Sequence, residues 1–334
     1  MSDMRTEKNL LRYVAFALAI ILLITAGLLL LELWERGRDR FAASEHKEGV
    51  LMYGGQEYER KDSIETFLVL GLDKYTGALA SDAHGRGVQA DFLMLFVFDN
   101  ENQQCTALHI NRDTMASVNQ LAIGGTAVVA THTLQIALAY NYVEDDNDKI
   151  RCGNTKDSVE KLLYDVPVNH YLALTMDFVP AINDLVGGVE VTVLDDFAGI
   201  DDTLIQGEKV TLMGEQALRY VRTRYGLEDS SNEARMARQQ QYISALYDKA
   251  ISCVEADAAF IVDLVTLADE HLVYDSSEHR MQKFAEKFGA YEFLGIREIA
   301  GENVVGEEFM EFYPDEDDLL KTVIDLFYTP KKSK

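Results

Sequence analysis

Nineteen consecutive residues without a charge, Tyr13 to Leu31 (YVAFALAIILLITAGLLLL), constrain this chain more than any other feature. At about 1.5 Å of rise per residue a helix of that length spans roughly 28 Å, the depth of a bilayer's hydrocarbon core. Arg12 and Glu32 close the run, and Tyr13 and Trp34 stand where interfacial aromatics are expected. A cleaved signal peptide has a shorter apolar core followed at once by small residues, whereas LELWERGRDR follows here. The expectation is an uncleaved transmembrane anchor at 13–33 behind a cytoplasmic tail at 1–12. Arg5, Lys8 and Arg12 precede it and Arg36, Arg38 and Arg40 follow it, so flanking charge does not decide its orientation.

The 334 residues carry 31 Lys and Arg against 56 Asp and Glu, a formal charge of −25. Nonspecific nucleic-acid binding needs a basic face that neutralises phosphates, so no nucleic-acid partner is expected and any phosphate site must be local. With 48% hydrophobic residues the chain can bury a core. Cys105, Cys152 and Cys253 form neither a CxxC pair nor an even framework and read as buried free thiols. His84, His109, His132 and His170 lack ligand spacing.

Residues 34–61 are charged and glycine-bearing without a sustained period, and read as a stalk. The remainder, 62–328, reads as one α/β domain, and the tail 329–334 (TPKKSK) as disordered. Within the domain, DFLMLFVFDNENQQCTALHINRDT predicts two strands joined by the turn DNEN. The first is apolar on both faces and belongs in the middle of a covered sheet. THTLQIALAYNYV and TKDSVEKLLYDV have helical spacing, the second with Thr155 as N-cap, and Ala234 to Cys253 reads as a long amphipathic helix. EHRMQKFAEKFGA reads as another.

In so acidic a chain, Arg219, Arg222, Arg224, Arg235 and Arg238 within twenty residues need a reason. Guanidiniums suit bidentate binding of phosphate oxygens, and Arg222 and Arg224 share a side if YVRTRY is extended. The competing reading is a set of salt bridges to Glu228, Asp229 and Glu233. Asp73 follows the run FLVLGL and Asp91 precedes FLMLF, positions suited to holding Mg²⁺ with substrate phosphate oxygens, or else to a turn and a strand cap. Arg112 and Asp113 in INRDT close the second strand with a cation and a carboxylate.

Taken in order, GLD, QADFLMLFVFD, INRDT, NHYLALTMDF, VGGVEVTV, GEQALRYVRTR and RMARQQ resemble the LytR-CpsA-Psr family of cell-wall glycopolymer ligases over a motif core of 64–250. The resemblance implies an α/β/α sandwich around a central mixed β-sheet, outside the cytoplasmic membrane of a bacterium of Gram-positive wall type, which also settles the anchor's orientation. It implies transfer of a polyprenyl-diphosphate-linked glycopolymer (teichoic acid, capsule or another wall polysaccharide) to peptidoglycan, with Mg²⁺ as cofactor. Asp73 and Asp91 match the family's metal-binding aspartates, and Arg112 its strand-end arginine. Arg222, Arg224, Arg235, Arg238 and Gln239 fall in its diphosphate-binding motifs. Asp113 and Asp229 are alternative bases for the acceptor hydroxyl. Two expected cations are absent: Gln89 and Ala90 precede Asp91 where many members carry arginine, and Gln135 replaces a common lysine, with Arg86 as a nearby substitute. A lipid-binding regulatory module and a diphosphate hydrolase are the other activities such a site allows.

Overall fold

The computed structural model describes residues 50–74, 88–125, 127–144, 146–224, 226–257, 260–269, 271–275, 291–306 and 309–331. The expected anchor at 13–33, Arg86 and the helix expected in EHRMQKFAEKFGA lie outside them. Among the described residues no helix is long and apolar enough to cross a membrane.

In chain order the strands are β1 (Val50–Tyr53), β2 (Gln56–Arg60), β3 (Ile64–Leu72), β4 (Ala90–Asp99), β5 (Gln104–Ile110), β6 (Met115–Leu121) and β7 (Val128–Gln135). A 3-10 turn (Ile136–Tyr140), α1 (Asp148–Leu162), β8 (His170–Thr175), α2 (Phe178–Leu185), β9 (Val189–Thr192) and β10 (Lys209–Leu212) follow. Then come α3 (Glu215–Arg222), α4 (Asn232–Ala256), α5 (Phe260–Asp269), β11 (Leu272–Tyr274), β12 (Glu292–Glu298), β13 (Gly301–Val305), β14 (Met310–Pro314), α6 (Glu316–Phe327) and β15 (Tyr328–Pro330). The class is mixed α/β, with a central six-stranded sheet in the order β11-β8-β3-β4-β5-β12.

The chain forms two compact units, one holding segments of Gly71–Val88 and Leu172–Glu292, the other of Leu30–Leu70, Gln89–Tyr171 and Phe293–Lys334. In the latter, the β-unit, β4 and β5 pair antiparallel from Leu93↔Ile110 to Asp99↔Gln104. Leu93 to Phe98 are buried without alternation, as expected of a strand covered on both faces. At the turn, Asp99 Oδ1 accepts from the backbone N–H of Glu101 and Asn102 at 2.9 and 3.2 Å.

Four local expectations are revised in this unit. Residues 50–60 of the expected stalk form the β1–β2 hairpin, because Gly54 and Gly55 adopt φ of 58° and 81° and close a two-residue turn. Thr329 and Pro330 of the expected disordered tail pair with Glu59 and Tyr58 in β2. THTLQ is strand, not helix: its β-branched residues pair with β6 from Met115↔Gln135 onward, and only Ile136–Tyr140 coils. The helix expected from Thr155 begins at Asp148, capped by Asn147, whose side chain accepts from the Lys149 N–H at 3.0 Å, while the Thr155 hydroxyl bonds back to the Arg151 carbonyl.

The other unit, the helix-unit, has a core of Phe178, Ile182, Val191, Phe197, Leu212 and Leu218 among others. Burying each such side chain contributes about 1.5–3 kcal/mol. α4 covers the expected long helix, with Ser231 as N-cap accepting from the Ala234 N–H at 3.1 Å. Cys105, Cys152 and Cys253 are free thiols.

Candidate functional site

The ten sequence-selected residues divide between the two units. The β-unit holds Asp91, Arg112 and Asp113; the helix-unit holds Asp73, Arg222, Arg224, Asp229, Arg235, Arg238 and Gln239.

In the β-unit, β5 runs out into Asn111-Arg112-Asp113-Thr114. Asn111 makes this turn: its side-chain oxygen accepts from the Asp113 N–H at 2.9 Å, and its carbonyl accepts from the Thr114 N–H and hydroxyl at 3.0 and 2.6 Å. Neighbouring segments then fix the backbone, since the N–H groups of Ala137, Phe312 and Ile136 donate to the carbonyls of Arg112, Asp113 and Thr114 at 3.2, 2.9 and 2.8 Å.

The Arg112 side chain on this fixed turn is enclosed. Its Nη1 donates to Asp91 Oδ1, its Nη2 donates to Gln89 Oε1 at 2.5 Å, and its Nε lies 3.3 Å from Asp113 Oδ1. Asp113, 1% exposed, also accepts from Gln135 Nε2 at 2.9 Å, and the same amide donates to the Met310 carbonyl at 2.6 Å. The one guanidinium and two carboxylates bring a fixed cation against hard oxygen acceptors. Gln89 and Gln135 are the two positions where the sequence showed missing cations; both serve here as neutral hydrogen-bonding partners of Arg112 and Asp113.

In the helix-unit, α3 ends at Arg222, and Thr223 turns extended with ψ 133°. YVRTRY is therefore a helix end and not the extended stretch considered above. The last carbonyls of a helix lack intrahelical donors. Here the Thr223 N–H takes the Arg219 carbonyl at 3.0 Å, Arg238 Nε the Tyr220 carbonyl at 2.9 Å, and Gln239 Nε2 the Val221 carbonyl at 3.3 Å. Arg238 also donates from Nη2 to the Thr223 carbonyl and from Nη1 to Asp195, and its guanidinium lies over the Phe197 ring at 5.6 Å. Arg238 is 0% exposed. Its contacts make it a strut that holds the backbone on either side of Arg222 and immediately before Arg224.

Arg222 Nη2 donates to Asp73 Oδ1 at 3.1 Å, and Arg224 is half-buried past the helix end. Asp73 sits in a turn held by the Lys74 N–H on the Leu72 carbonyl and the Met176 N–H on the Lys74 carbonyl. Guanidiniums such as those of Arg222 and Arg224 suit an anion with paired oxygens. Arg235, 4% exposed, donates to Asn232 Oδ1. Asp229 is exposed, and the Ser231 hydroxyl and N–H hold its carboxyl below the usual range. Salt bridges of Arg219, Arg222 and Arg238 run to Asp201, Asp73 and Asp195, and the Arg238 charge also acts on Asp229. Asn232, Asp195, Gln89 and Gln135 carried no positive signal as partners in the sequence.

Among the described residues no three His, Cys, Asp or Glu side chains group as a metal cage. Mg²⁺ binding through one or two carboxylates plus substrate phosphates does not require such a cage. The hard oxygen donors at Asp73 and at Asp91 are of the type that ion takes.

The model of the LytR_cpsA_psr family matches residues 37–289. A polyisoprenyl-teichoic acid–peptidoglycan teichoic acid transferase TagV of Bacillus subtilis (strain 168) is 27% identical over 256 residues, 72% of this chain and 58% of that protein. TagU of Enterococcus faecalis, named for the same transfer, is 33% identical over 132 residues, 39% of this chain and 41% of its own length. The chain thus spans about half the length of the curated relatives it matches. The crystal structure of B. subtilis TagV superposes with a TM-score of 0.57 at 23% identity, covering 79% of this chain and 97% of that one. A structure of TagT bound to LI-WTA gives 0.56 at 20% identity, covering 79% and 90%. These likenesses establish the fold.

Proposed function

Because this chain belongs to the LytR_cpsA_psr family, we propose that it is a membrane-anchored phosphotransferase that moves a glycopolymer from a polyprenyl-diphosphate carrier to peptidoglycan. An acceptor sugar hydroxyl attacks the phosphorus on the glycopolymer side, and a new P–O bond forms. The bond from that phosphorus to the bridging oxygen breaks, and polyprenyl phosphate leaves with the electron pair. The hydroxyl proton passes to a carboxylate. Residues 13–33 span the membrane with the catalytic domain on its outer side, where donor and acceptor are found. Teichoic acid is the favoured cargo, since the named relatives transfer it.

Phosphoryl transfer through a loose transition state is catalysed chiefly by positioning and charge stabilisation. Arg112 supplies a guanidinium already fixed by Asp91, Gln89 and Asp113, so little reorganisation accompanies the step. Arg222 and Arg224 bind diphosphate oxygens, and Arg235, Arg238 and Gln239 act by holding their own part of the helix-unit in place. The carboxylates of Asp73 and of Asp91 are of the kind that would hold Mg²⁺, which would supply neutralisation of diphosphate charge. Asp113 is buried and committed to Arg112 and Gln135, so its role is to orient the guanidinium. Asp229 is exposed and ionised at neutral pH; a weak base is enough when the attacking bond forms late, and Asp229 is the proton acceptor.

The observation that carries this reading is the enclosed Arg112. Its test incubates the full chain in lipid vesicles with a short-chain polyprenyl-diphosphate glycan, a peptidoglycan oligomer and Mg²⁺, and reads phosphodiester product by mass spectrometry. Arg112→Ala is expected to lower the product rate by about 10²–10³; an unchanged rate rules the assignment out. Release of glycan phosphate without acceptor would indicate hydrolysis, and retained donor a binding module.

A further inference from the structure

From Thr114 to Val143 there is no Asp, Glu, Lys or Arg, thirty residues in a chain that is 26% charged. Within that stretch β6 and β7 form a two-stranded sheet. β6 turns Ala116, Val118 and Leu121 into the β-unit's core. Its partner is left open: Val128 and Val129 are 55% and 63% exposed, and Ile123 at the connecting turn is 76% exposed. Gly124 and Gly125, at φ 80° and 64°, let the turn close tightly. Exposed strands are ordinarily guarded by charge or proline. β7 has neither, and Thr131, His132 and Thr133 continue the strand as exposed polar residues.

We propose that the β6–β7 hairpin is a membrane-docking element whose tip, with Ile123, Val128 and Val129, seats in the headgroup boundary of the bilayer. The inference rests on the membrane-anchored reading above. Three considerations select a lipid surface as the occupant. A chain of net charge −25 is repelled by anionic lipid, and the segment able to approach is the one without carboxylates. Residues 34–49, between the apolar run and β1, extend at most about 55 Å, roughly one domain diameter, so the β-unit stays close to the bilayer. A tethered patch acts at an effective concentration on the order of millimolar, so shallow insertion of a few aliphatic side chains suffices. The consequence is a domain held in one orientation to the surface from which a lipid-linked donor must come.

The test uses the full chain with Cys253→Ser, reconstituted at high dilution in vesicles of phosphatidylcholine and phosphatidylglycerol. An environment-sensitive fluorophore is attached at Val129→Cys or Ile123→Cys, with Ile205→Cys, 53% exposed in the wild type and in the other unit, as control. A blue-shifted emission quenched several-fold more strongly by doxyl lipids at 129 and 123 than at 205 is expected. Equal quenching at all three positions overturns the proposal, and so does a blue shift without lipid quenching, which would mean that a second copy covers the edge. A chain that floats with vesicles while its hairpin label stays aqueous removes the docking element alone. A chain that does not float removes the anchor reading with it.

Discussion

Two glutamines that read from the sequence only as lost cations turn out to hold the Arg112 cluster together. Gln135 bonds at once to Asp113 and to the Met310 carbonyl, 22 and 175 residues away, and no local pattern signals such partners. The charged members were legible because an arginine stands out in an acidic chain and because Asp91 and Asp113 stand at strand ends. Gln135→Met keeps the volume and removes the donor, leaving a buried carboxylate short of one hydrogen bond. A stability loss of about 1–3 kcal/mol is expected in urea unfolding, and no change would show that the bond contributes nothing. Asp229 gives a pH signature. Because Ser231 depresses its folded-state pKa, Asp229 stays ionised down to below the ordinary carboxylate range, and the acid limb of the rate profile lies there. Ser231→Ala is expected to move that limb upward towards the ordinary value of about 3.9 and to cost about 1 kcal/mol through the lost N-cap. An unmoved limb excludes Asp229 as the titrating base.

At the scale of elements, one helix finishes another. Arg238 and Gln239 on α4 occupy the carbonyls that α3 leaves unsatisfied, and thereby present Arg222 and Arg224 from a rigid end. Replacing Arg238 by Met leaves Asp195 and the Tyr220 and Thr223 carbonyls without its donors. A loss of about 3–5 kcal/mol is expected, as for other broken buried ion pairs. Calorimetry showing a wild-type melting temperature would contradict the strut. Periodicity predicted the β4–β5 hairpin and α4 well, because strand alternation is irrelevant in a doubly covered strand and α4's pattern is long. It failed for β7, where THTLQ sits on an open edge and lacks the burial that usually marks a strand's two faces. The β1–β2 hairpin was available in the sequence through its Gly54-Gly55 turn, but the polar residues around it read as stalk.

For the whole molecule, the order of motifs along the chain identified the family and the mixed α/β class, yet not the division into two units. Each unit is assembled from separated segments, so no linker or composition change marks a boundary. The motifs are accordingly shared out, with Asp91, Arg112 and Asp113 in one unit and the remaining selected residues in the other. Net charge of −25 weighs against broad binding of nucleic acid and is silent on which polymer is carried. The central claim is transfer of a glycopolymer phosphate, and the measurement that tests it most directly follows one atom. A polyprenyl-diphosphate donor is labelled with ³²P on the phosphate next to the sugar and given to the vesicle-reconstituted chain with peptidoglycan and Mg²⁺. The account predicts that the label appears in a peptidoglycan phosphodiester while the released polyprenyl phosphate is unlabelled. Label found in free glycan phosphate with or without acceptor, or left wholly in the donor, would contradict it.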